Sequence, residues 1–208
     1  MDDPARDGEW RASAEALAAE LRELLAAFNT NGPPAAALAE ALELARSLRA
    51  RLEGPPRPRW YQSDDVKRPA YADMSPVRGR LNPVAPPLRI EVLERDPARL
   101  RVEGRARLSL AYEAPPRGAH GGWVAALFDD LLSSVQGLSP VPGYTRSLEV
   151  RFRAVTPLER ELRLEAWLES ESGRELRIKG ECYAGEKLTA EAEAVFVKAA
   201  LGEERQVE

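Results

Sequence analysis

The chain has 208 residues, of which 44% are hydrophobic and 31% charged, the composition of a globular protein with one ordinary domain and an appendage. Its formal net charge of -4 and isoelectric point near 5.4 give no reason to expect a nucleic-acid partner. Most of the basic residues are arginine, so we expect any phosphate site to be local.

The cysteine and histidine content limits the chemistry. The single cysteine, Cys182, excludes an internal disulfide, and one histidine with one cysteine excludes the usual zinc sites. The acidic N-terminus does not fit a signal peptide, and no apolar run approaches the roughly 20 residues that span a bilayer. We therefore predict a cytoplasmic protein with no metal, no cofactor and no membrane insertion.

Two amphipathic helices are predicted in residues 1–54. The first stripe of apolar side chains consists of Leu17, Leu21, Leu24, Leu25 and Phe28. The second consists of Leu38, Leu42, Ala45, Leu48 and Leu52. Gly32-Pro33-Pro34 and Gly54-Pro55-Pro56 end the two helices. Such a helical hairpin is too small to be stable alone, so it must pack on the main domain, on another subunit or on a partner, and the sequence leaves this choice open.

A proline-rich segment follows at residues 55–87. It contains eight of the seventeen prolines of the chain, which excludes regular structure over most of its length. Trp60, Tyr61 and Tyr71 argue against a free linker, because disordered segments are poor in aromatic residues. We predict an extended arm that lies on the domain.

Residues 88–199 read as one α+β domain, followed by a polar tail at 200–208. Apolar and polar residues alternate in the runs 88–92, 100–110, 144–154, 161–170, 175–183 and 187–198. Ser172-Gly173 and Ala184-Gly185 are hairpin-turn signals between neighbouring runs. The pattern predicts an antiparallel sheet with one helix laid across it.

That helix follows the run Gly118 to Asp130. From residue 124 onward its large apolar residues occur at the i, i+3, i+4, i+7 spacing of a buried face. Gly121 and Gly122 open the helix, and without side chains they leave its first N–H groups accessible to an oxyanion. Asp129 and Asp130 lie beside the buried face, where a carboxylate must be paired, hydrated or used.

His120-Gly121-Gly122, with Asp129 nine residues after the histidine, resembles the hotdog-fold acyl-CoA thioesterases of the phenylacetate-pathway (PaaI-like) type. The similarity covers about residues 82–197. It implies the hotdog fold, a long central helix wrapped by an antiparallel sheet, and a homodimer with shared active sites or a dimer of such dimers. It also implies that Ser147, ten residues before Pro157, helps to hold the attacking water.

The sequence departs from some relatives at Ala114, where they carry Asn or Gln. This removes a side-chain contact to water or to the substrate carbonyl. The hydratases of the same fold use an Asp followed five residues later by a His. Here His120 precedes its acid, so this chain lacks that pair of groups.

Hydrolysis of a thioester needs an oxyanion site and an ionised acid. We assign Asp129 as general base or nucleophile and the Gly121 amide, with Gly122 beside it, as oxyanion donor. We expect His120 to fix the turn by hydrogen bonds and Asp130 to be a solvated surface acid. Candidate ligands for the phosphates of coenzyme A are Arg151, Arg153, Arg174 and Lys179, although the pattern favours a solvated strand face for these four residues.

Spacing predicts that each site is shared. Gly121 and Asp129 are eight residues apart, roughly 12 Å along a helix, whereas both groups must lie about 3 Å from the reacting atoms. A two-fold dimer with antiparallel central helices would bring Gly121 of one chain opposite Asp129 of the other. Two alternatives stay open: an acyl-carrier-protein thioester as substrate, and a non-catalytic binding or assembly module that works through the N-terminal hairpin.

Overall fold

The computed structural model of the protein describes residues 8–55, 73–114, 117–141 and 143–198. Its helices are α1 (Gly8–Thr30), α2 (Ala35–Arg51) and α3 (Gly121–Gln136). Its strands are β1 (Arg89–Glu94), β2 (Arg101–Arg107), β3 (Glu113–Ala114), β4 (Gly118–Ala119), β5 (Gly143–Phe152), β6 (Glu161–Ser172), β7 (Glu175–Ala184) and β8 (Lys187–Lys198). The order of the elements follows the order predicted from the sequence.

Six strands form one antiparallel sheet in the order β1-β2-β6-β7-β8-β5. The hairpins β6–β7 and β7–β8 turn at Gly173 and Gly185, whose φ angles of 57° and 62° suit glycine. Helix α3 packs across one face of this sheet, the inner face. The predicted α+β architecture, a sheet wrapped around one long helix, is confirmed.

The core lies between α3 and the inner face. The fully buried α3 side chains are Leu127, Phe128, Leu131, Leu132 and Val135. Two glycines of the sheet allow the helix to approach. A Cβ atom at Gly104 would lie 2.8 Å from Leu131 Cδ1, and one at Gly180 would lie 2.9 Å from both Leu132 Cδ1 and the Glu165 carbonyl oxygen.

Cys182 lies in this core on β7. Its side chain is fully buried, and burial raises the pKa of its thiol, although the Thr189 hydroxyl opposes this effect. The Thr189 hydroxyl also donates a hydrogen bond to the Cys182 carbonyl oxygen at 3.1 Å.

The opposite, outer face of the sheet carries charged side chains that form ion pairs within strands and between neighbouring strands. Arg101 and Arg163 both pair with Glu165, Arg177 pairs with Glu193, and Lys179 Nζ lies 2.9 Å from Glu169 Oε1. Such exposed pairs contribute little stability each, but they keep this face polar.

Residues 73–87 of the predicted arm lie on the domain, with Ser75, Val77, Leu81 and Ala85 buried. Helix α1 holds this segment in place. Arg11 donates two hydrogen bonds to the Asp73 carboxylate at 2.5 and 2.7 Å, and Arg22 donates one to the Asn82 carbonyl oxygen at 2.9 Å. The predictions for Trp60, Tyr61 and Tyr71 fall outside the described residues.

The two N-terminal helices form as predicted, but they are used differently. In α1 the stripe is half-buried at Leu17 and Leu21 and exposed beyond them, with Phe28 71% exposed. In α2 no residue is buried. The first half of α1 therefore packs on the domain, whereas α2 extends away from it. No helix of the described part of the chain is long and apolar enough to cross a bilayer.

The second predicted strand ends earlier than its alternation suggests. The pattern runs to Leu110, yet β2 stops at Arg107, and residues Leu110–Tyr112 form a short 3-10 turn. Ser109 precedes this turn, and its side chain accepts the Ala111 N–H at 3.4 Å. The Ala111 N–H is therefore bonded to a nearby side chain and not to a neighbouring strand.

Candidate active site

The N-terminus of α3 is fixed by the loop before it. The His120 N–H donates to the Tyr112 carbonyl oxygen at 2.9 Å, and the Ala119 N–H donates to the Thr156 carbonyl oxygen at 2.9 Å. His120 is the N-cap residue of α3, and its Nδ1 accepts the Gly122 N–H at 3.0 Å. The imidazole thus caps the helix, the turn-fixing use expected from the sequence.

The first turn of α3 leaves one donor available. Trp123 and Val124 donate their N–H groups to the His120 carbonyl oxygen at 2.9 and 3.3 Å, and the Gly122 N–H goes to the imidazole. Within the described residues, the Gly121 N–H has no hydrogen-bond acceptor. Gly121 can therefore donate to an incoming anion, while the Gly122 amide is engaged with His120.

The ring of Phe152, at the end of β5, lies next to Gly121. A Cβ atom at position 121 would be 3.1 Å from Phe152 Cζ, so a side chain there would press on the ring. Phe152 is 56% exposed. The available N–H therefore lies beside an apolar, solvent-facing ring, which nothing in the sequence pattern singled out.

Asp129 lies two turns farther along α3 with an exposed side chain. Its Oδ1 accepts a hydrogen bond from the Thr145 hydroxyl of β5 at 3.3 Å. This contact ties the carboxylate to the edge strand of the sheet. The sequence analysis missed Thr145.

Asp130 is not the solvated surface acid that the sequence predicts. It is 8% exposed rather than solvated, and its Oδ2 lies 3.2 Å from Arg78 Nε of the arm. The angle is poor, so neither atom makes a hydrogen bond, although Arg78 donates to the Ser134 hydroxyl at 2.8 Å. Burial raises the pKa of Asp130 to about 6, with Arg78 opposing and Asp129 adding to the rise. The prediction of a surface acid was wrong because the arm covers this side of α3.

The Ser147 assignment also needs correction. The pairing of β5 with β8 shifts register between Thr145 and Ser147. Thr145 then pairs with the buried Phe196, whereas Ser147 pairs with Val195. Paired residues share a face, so Thr145 points toward α3 and Ser147 toward the outer face. A bulge of this kind leaves no clear signal in the sequence.

The four candidate phosphate ligands have partners of their own. Arg151 pairs with Glu149 at 2.7 Å, Arg153 with Glu191, and Lys179 with Glu169 at 2.9 Å. Arg174 donates to the Lys198 carbonyl oxygen at 3.0 and 2.8 Å. Arg151 and Lys179 also line an open groove of about 310 Å³ on the outer face, which neither Gly121 nor Asp129 lines. The contacts favour the solvated strand face over a phosphate site.

Among the described residues, no group of three or more His, Cys, Asp or Glu side chains could hold a metal ion. What the arrangement offers is a free backbone donor at the start of α3 and a carboxylate, oriented by a hydroxyl, farther along the same helix. These are the parts needed to polarise a carbonyl and to deliver water to its carbon.

Comparisons with known proteins include a solved structure that matches most of this chain. A crystallised thioesterase superfamily protein is 26% identical to this chain, with 88% of this chain and 94% of that chain covered and a TM-score of 0.71. This coverage exceeds the stretch from β1 to the C-terminus, so the likeness reaches residues before β1. No protein-family model matches the chain, and no curated protein matches it.

Shorter proteins match a smaller part of this chain. A hypothetical thioesterase with coenzyme A from Streptococcus pneumoniae is 13% identical, covering 54% of this chain and 90% of that chain with a TM-score of 0.47. Thioesterase superfamily member 2 from Mus musculus is 15% identical, covering 51% of this chain and 79% of that chain with a TM-score of 0.43.

Proposed function

The chain has the hotdog fold of the thioesterase superfamily, and we propose that it hydrolyses the thioester of an acyl-CoA to a free acid and coenzyme A. The observation that carries this proposal is the available Gly121 N–H at the start of a buried helix that also bears the exposed Asp129. A purely structural helix has no use for both groups. The proposal extends to the class of thioester but not to the acyl group.

In this mechanism Gly121 stabilises the oxyanion. The positive end of the α3 dipole and the free N–H point to the same place, and both interact more strongly with a developing alkoxide than with a neutral carbonyl. The neighbouring Phe152 ring excludes water from one side of that N–H. His120 holds the glycines in position and takes no proton in the reaction.

Asp129 acts as general base. It takes a proton from water while the water oxygen forms a bond to the carbonyl carbon, and collapse of the tetrahedral intermediate breaks the carbon–sulfur bond. The proton then goes to the departing thiolate. The Thr145 hydroxyl, hydrogen-bonded to Oδ1, leaves Oδ2 to face the water. Direct attack by the carboxylate, with an anhydride hydrolysed afterwards, is the alternative role for the same residue.

The two groups belong to one site only if two chains contribute. Both lie on the single helix α3, eight residues and roughly 12 Å apart along its axis. Strand β5 ends the sheet and pairs only with β8 among the described strands, and Tyr144 and Phe152 are more than half exposed on it. An unpaired strand edge beside the site is where a second copy can dock. We therefore infer a homodimer with antiparallel α3 helices, which exists alone or as half of a dimer of dimers.

The test is a screen for thiol release. Wild type, Asp129→Asn and Asp130→Asn are assayed with short, long and aromatic acyl-CoAs and with acyl-carrier-protein thioesters, which cover the alternative substrate. We expect turnover of at least one acyl-CoA by wild type and Asp130→Asn, and a loss of about 10²-fold or more for Asp129→Asn, because Asn keeps the contact to Thr145 but cannot take a proton. Equal rates for wild type and Asp129→Asn would refute the mechanism. The absence of turnover by folded wild type with every thioester would favour the non-catalytic module.

A further inference from the structure

Tyr112, the last residue of the 3-10 turn, contacts the start of α3 on both sides of Gly121. Its carbonyl oxygen accepts the His120 N–H at 2.9 Å. Its ring lies edge-on to the ring of Trp123, with the centroids 4.8 Å apart and the planes at 77°. Because His120 precedes Gly121 and Trp123 follows it by two residues, the position of the Gly121 N–H depends on where Tyr112 is held.

Tyr112 is held by segments that lie far from it in the chain. Its side chain is buried, and its hydroxyl donates a hydrogen bond to the Val84 carbonyl oxygen of the arm at 2.9 Å. Burial raises the pKa of this phenol, with Arg22 opposing the rise, so the hydroxyl keeps its proton at neutral pH. Helix α1 also packs against the turn that ends at Tyr112. The arm and α1 together fix this side chain.

A series of hydrogen bonds connects α1 to the Tyr112 hydroxyl. Arg22 of α1 donates to the Asn82 carbonyl oxygen at 2.9 Å, and the Asn82 side-chain oxygen accepts the Val84 N–H at 3.0 Å. The carbonyl oxygen of Val84 then accepts the Tyr112 hydroxyl. These contacts, with those of Tyr112 to α3, form one path from the N-terminal helix to the candidate oxyanion donor.

We propose that α1 and the arm position the oxyanion donor through Tyr112, which makes the N-terminal part of the chain a component of the catalytic unit. Tyr112 is a positioning residue that acts through His120 and Trp123 on Gly121. This inference rests on the proposed thioester hydrolysis, since it assigns a support to that same site. A reacting group displaced by about 1 Å can cost roughly 10²-fold in rate, so a support that fixes the donor controls turnover.

Steady-state kinetics of full-length variants test the role of Tyr112, with the acyl-CoA that wild type hydrolyses fastest. Tyr112→Phe keeps the ring against Trp123 but loses the bond to Val84. Its kcat should fall about three- to fivefold while KM stays within about twofold, because the donor acts on the transition state. Tyr112→Leu also loses the ring and should lower kcat about tenfold or more.

Tyr183→Phe is the matched control for these variants. It removes a tyrosine hydroxyl that donates to Glu181 on the outer face of the sheet, so its kcat and KM should equal those of wild type. A tyrosine with a purely structural role would lower the stability of the fold and leave kcat per folded molecule unchanged. That result for Tyr112→Phe would overturn the proposal.

Amide hydrogen exchange, followed by NMR, gives a readout that does not depend on activity. In Tyr112→Phe the His120 and Gly122 amides should be accelerated about fivefold more than the amides of Leu131 and Leu132, which report opening of the whole core. Faster exchange at the turn in a protein without thioesterase activity would sustain the support of Gly121 and refute the proposed function. Unchanged exchange in an active enzyme would refute the support alone.

The path from α1 is tested at Arg22. Arg22→Met removes the bond to the arm and should lower kcat about two- to threefold, less than Tyr112→Phe. Arg46→Met, the control on α2, removes an arginine whose partner Glu43 lies on the same helix and should leave kcat unchanged. Because Arg22 acts through the Tyr112 hydroxyl, the double variant Arg22→Met/Tyr112→Phe should be no slower than Tyr112→Phe alone. Multiplicative losses would show that Arg22 acts elsewhere and would overturn the path from α1.

Discussion

Asp129 has one side-chain partner that belongs to a different element, the Thr145 hydroxyl. Thr145→Val keeps the shape of the side chain but removes this donor, so we expect the carboxylate to lose its orientation and turnover to fall by about five- to tenfold. Thr145→Ser should retain most of the activity. Ser147→Ala is the matched control on the same strand, facing away from α3, and should behave as wild type in the thiol-release assay. The opposite pattern, with Ser147→Ala impaired and Thr145→Val active, would mean that the two residues exchange faces in the working enzyme.

Asp130 stabilises the fold more at low pH than at neutral pH, the opposite of the usual effect of a carboxylate. Burial raises its pKa from 3.8 to about 6 in the folded chain. Between these values the folded state binds more protons than the unfolded state, so this residue contributes most stability below pH 4 and loses it as the pH rises through 6. The difference corresponds to about 3 kcal/mol.

The Asp130→Asn variant isolates this effect. Its free energy of unfolding relative to wild type should rise by about 2 kcal/mol between pH 4 and pH 7, most of the full difference, measured by urea denaturation at several pH values. Because Arg78 lowers the pKa of Asp130, Arg78→Met should move the wild-type titration closer to neutral pH. A stability difference between Asp130→Asn and wild type that is constant across this range would contradict the assignment.

At the scale of the elements, the distance between α3 and the sheet depends on glycine. A methyl group at Gly180 would lie 2.9 Å from Leu132 Cδ1 and from the backbone oxygen of Glu165. The leucine can shift, but the backbone oxygen cannot shift without disturbing the β6–β7 ladder. Gly180→Ala should therefore lower the free energy of unfolding by about 1–3 kcal/mol. Gly54→Ala, with no atom within 4 Å, is the control and should change it little.

These elements were largely predictable, because each buries one face. The alternation of period two in residues 161–198 and the apolar spacing of α3 survive in the structure, and Gly173 and Gly185 mark the turns as expected. At the candidate site, His120 and Gly121 lie where a local pattern places them, at the start of a helix.

Features that depend on contacts between distant segments could not be predicted from local patterns. The orientation of Ser147 is set by the register shift between β5 and β8, and the burial of Asp130 by Arg78, which lies 52 residues earlier in the chain. The stripe of α2 correctly indicates an amphipathic helix, but whether its apolar side has a partner within the protomer depends on the path of the chain after Thr30. Periodicity carries no information on that path.

For the whole molecule, the central expectation is that two chains build each site. Gly121→Pro removes the oxyanion donor and suits the backbone, since position 121 opens the helix and His120, at φ -59° and ψ 130°, already has the conformation that precedes a proline. The proline ring displaces the exposed Phe152 side chain, so the variant is used only after it is shown to be folded and dimeric. Mixed with Asp129→Asn, it forms heterodimers in which one site carries both lesions and the other carries none. About half of the wild-type activity per heterodimer should return in the thiol-release assay. With subunit exchange shown independently, a mixture that stays inactive would place both groups in sites built by single chains.

Labelling of the buried Cys182 thiol can be used to measure unfolding of this protein. A thiol reagent cannot reach its sulfur while β7 is covered by α3, and burial keeps the thiol in its unreactive protonated form. Labelling therefore waits for the core to open, and its rate measures the population of open molecules. Gly180→Ala should accelerate labelling by the factor that corresponds to its loss of unfolding free energy, roughly tenfold for each 1.4 kcal/mol. In the folded protein Cys182 does not react with the thiol reagent, so every thiol detected during turnover comes from the substrate.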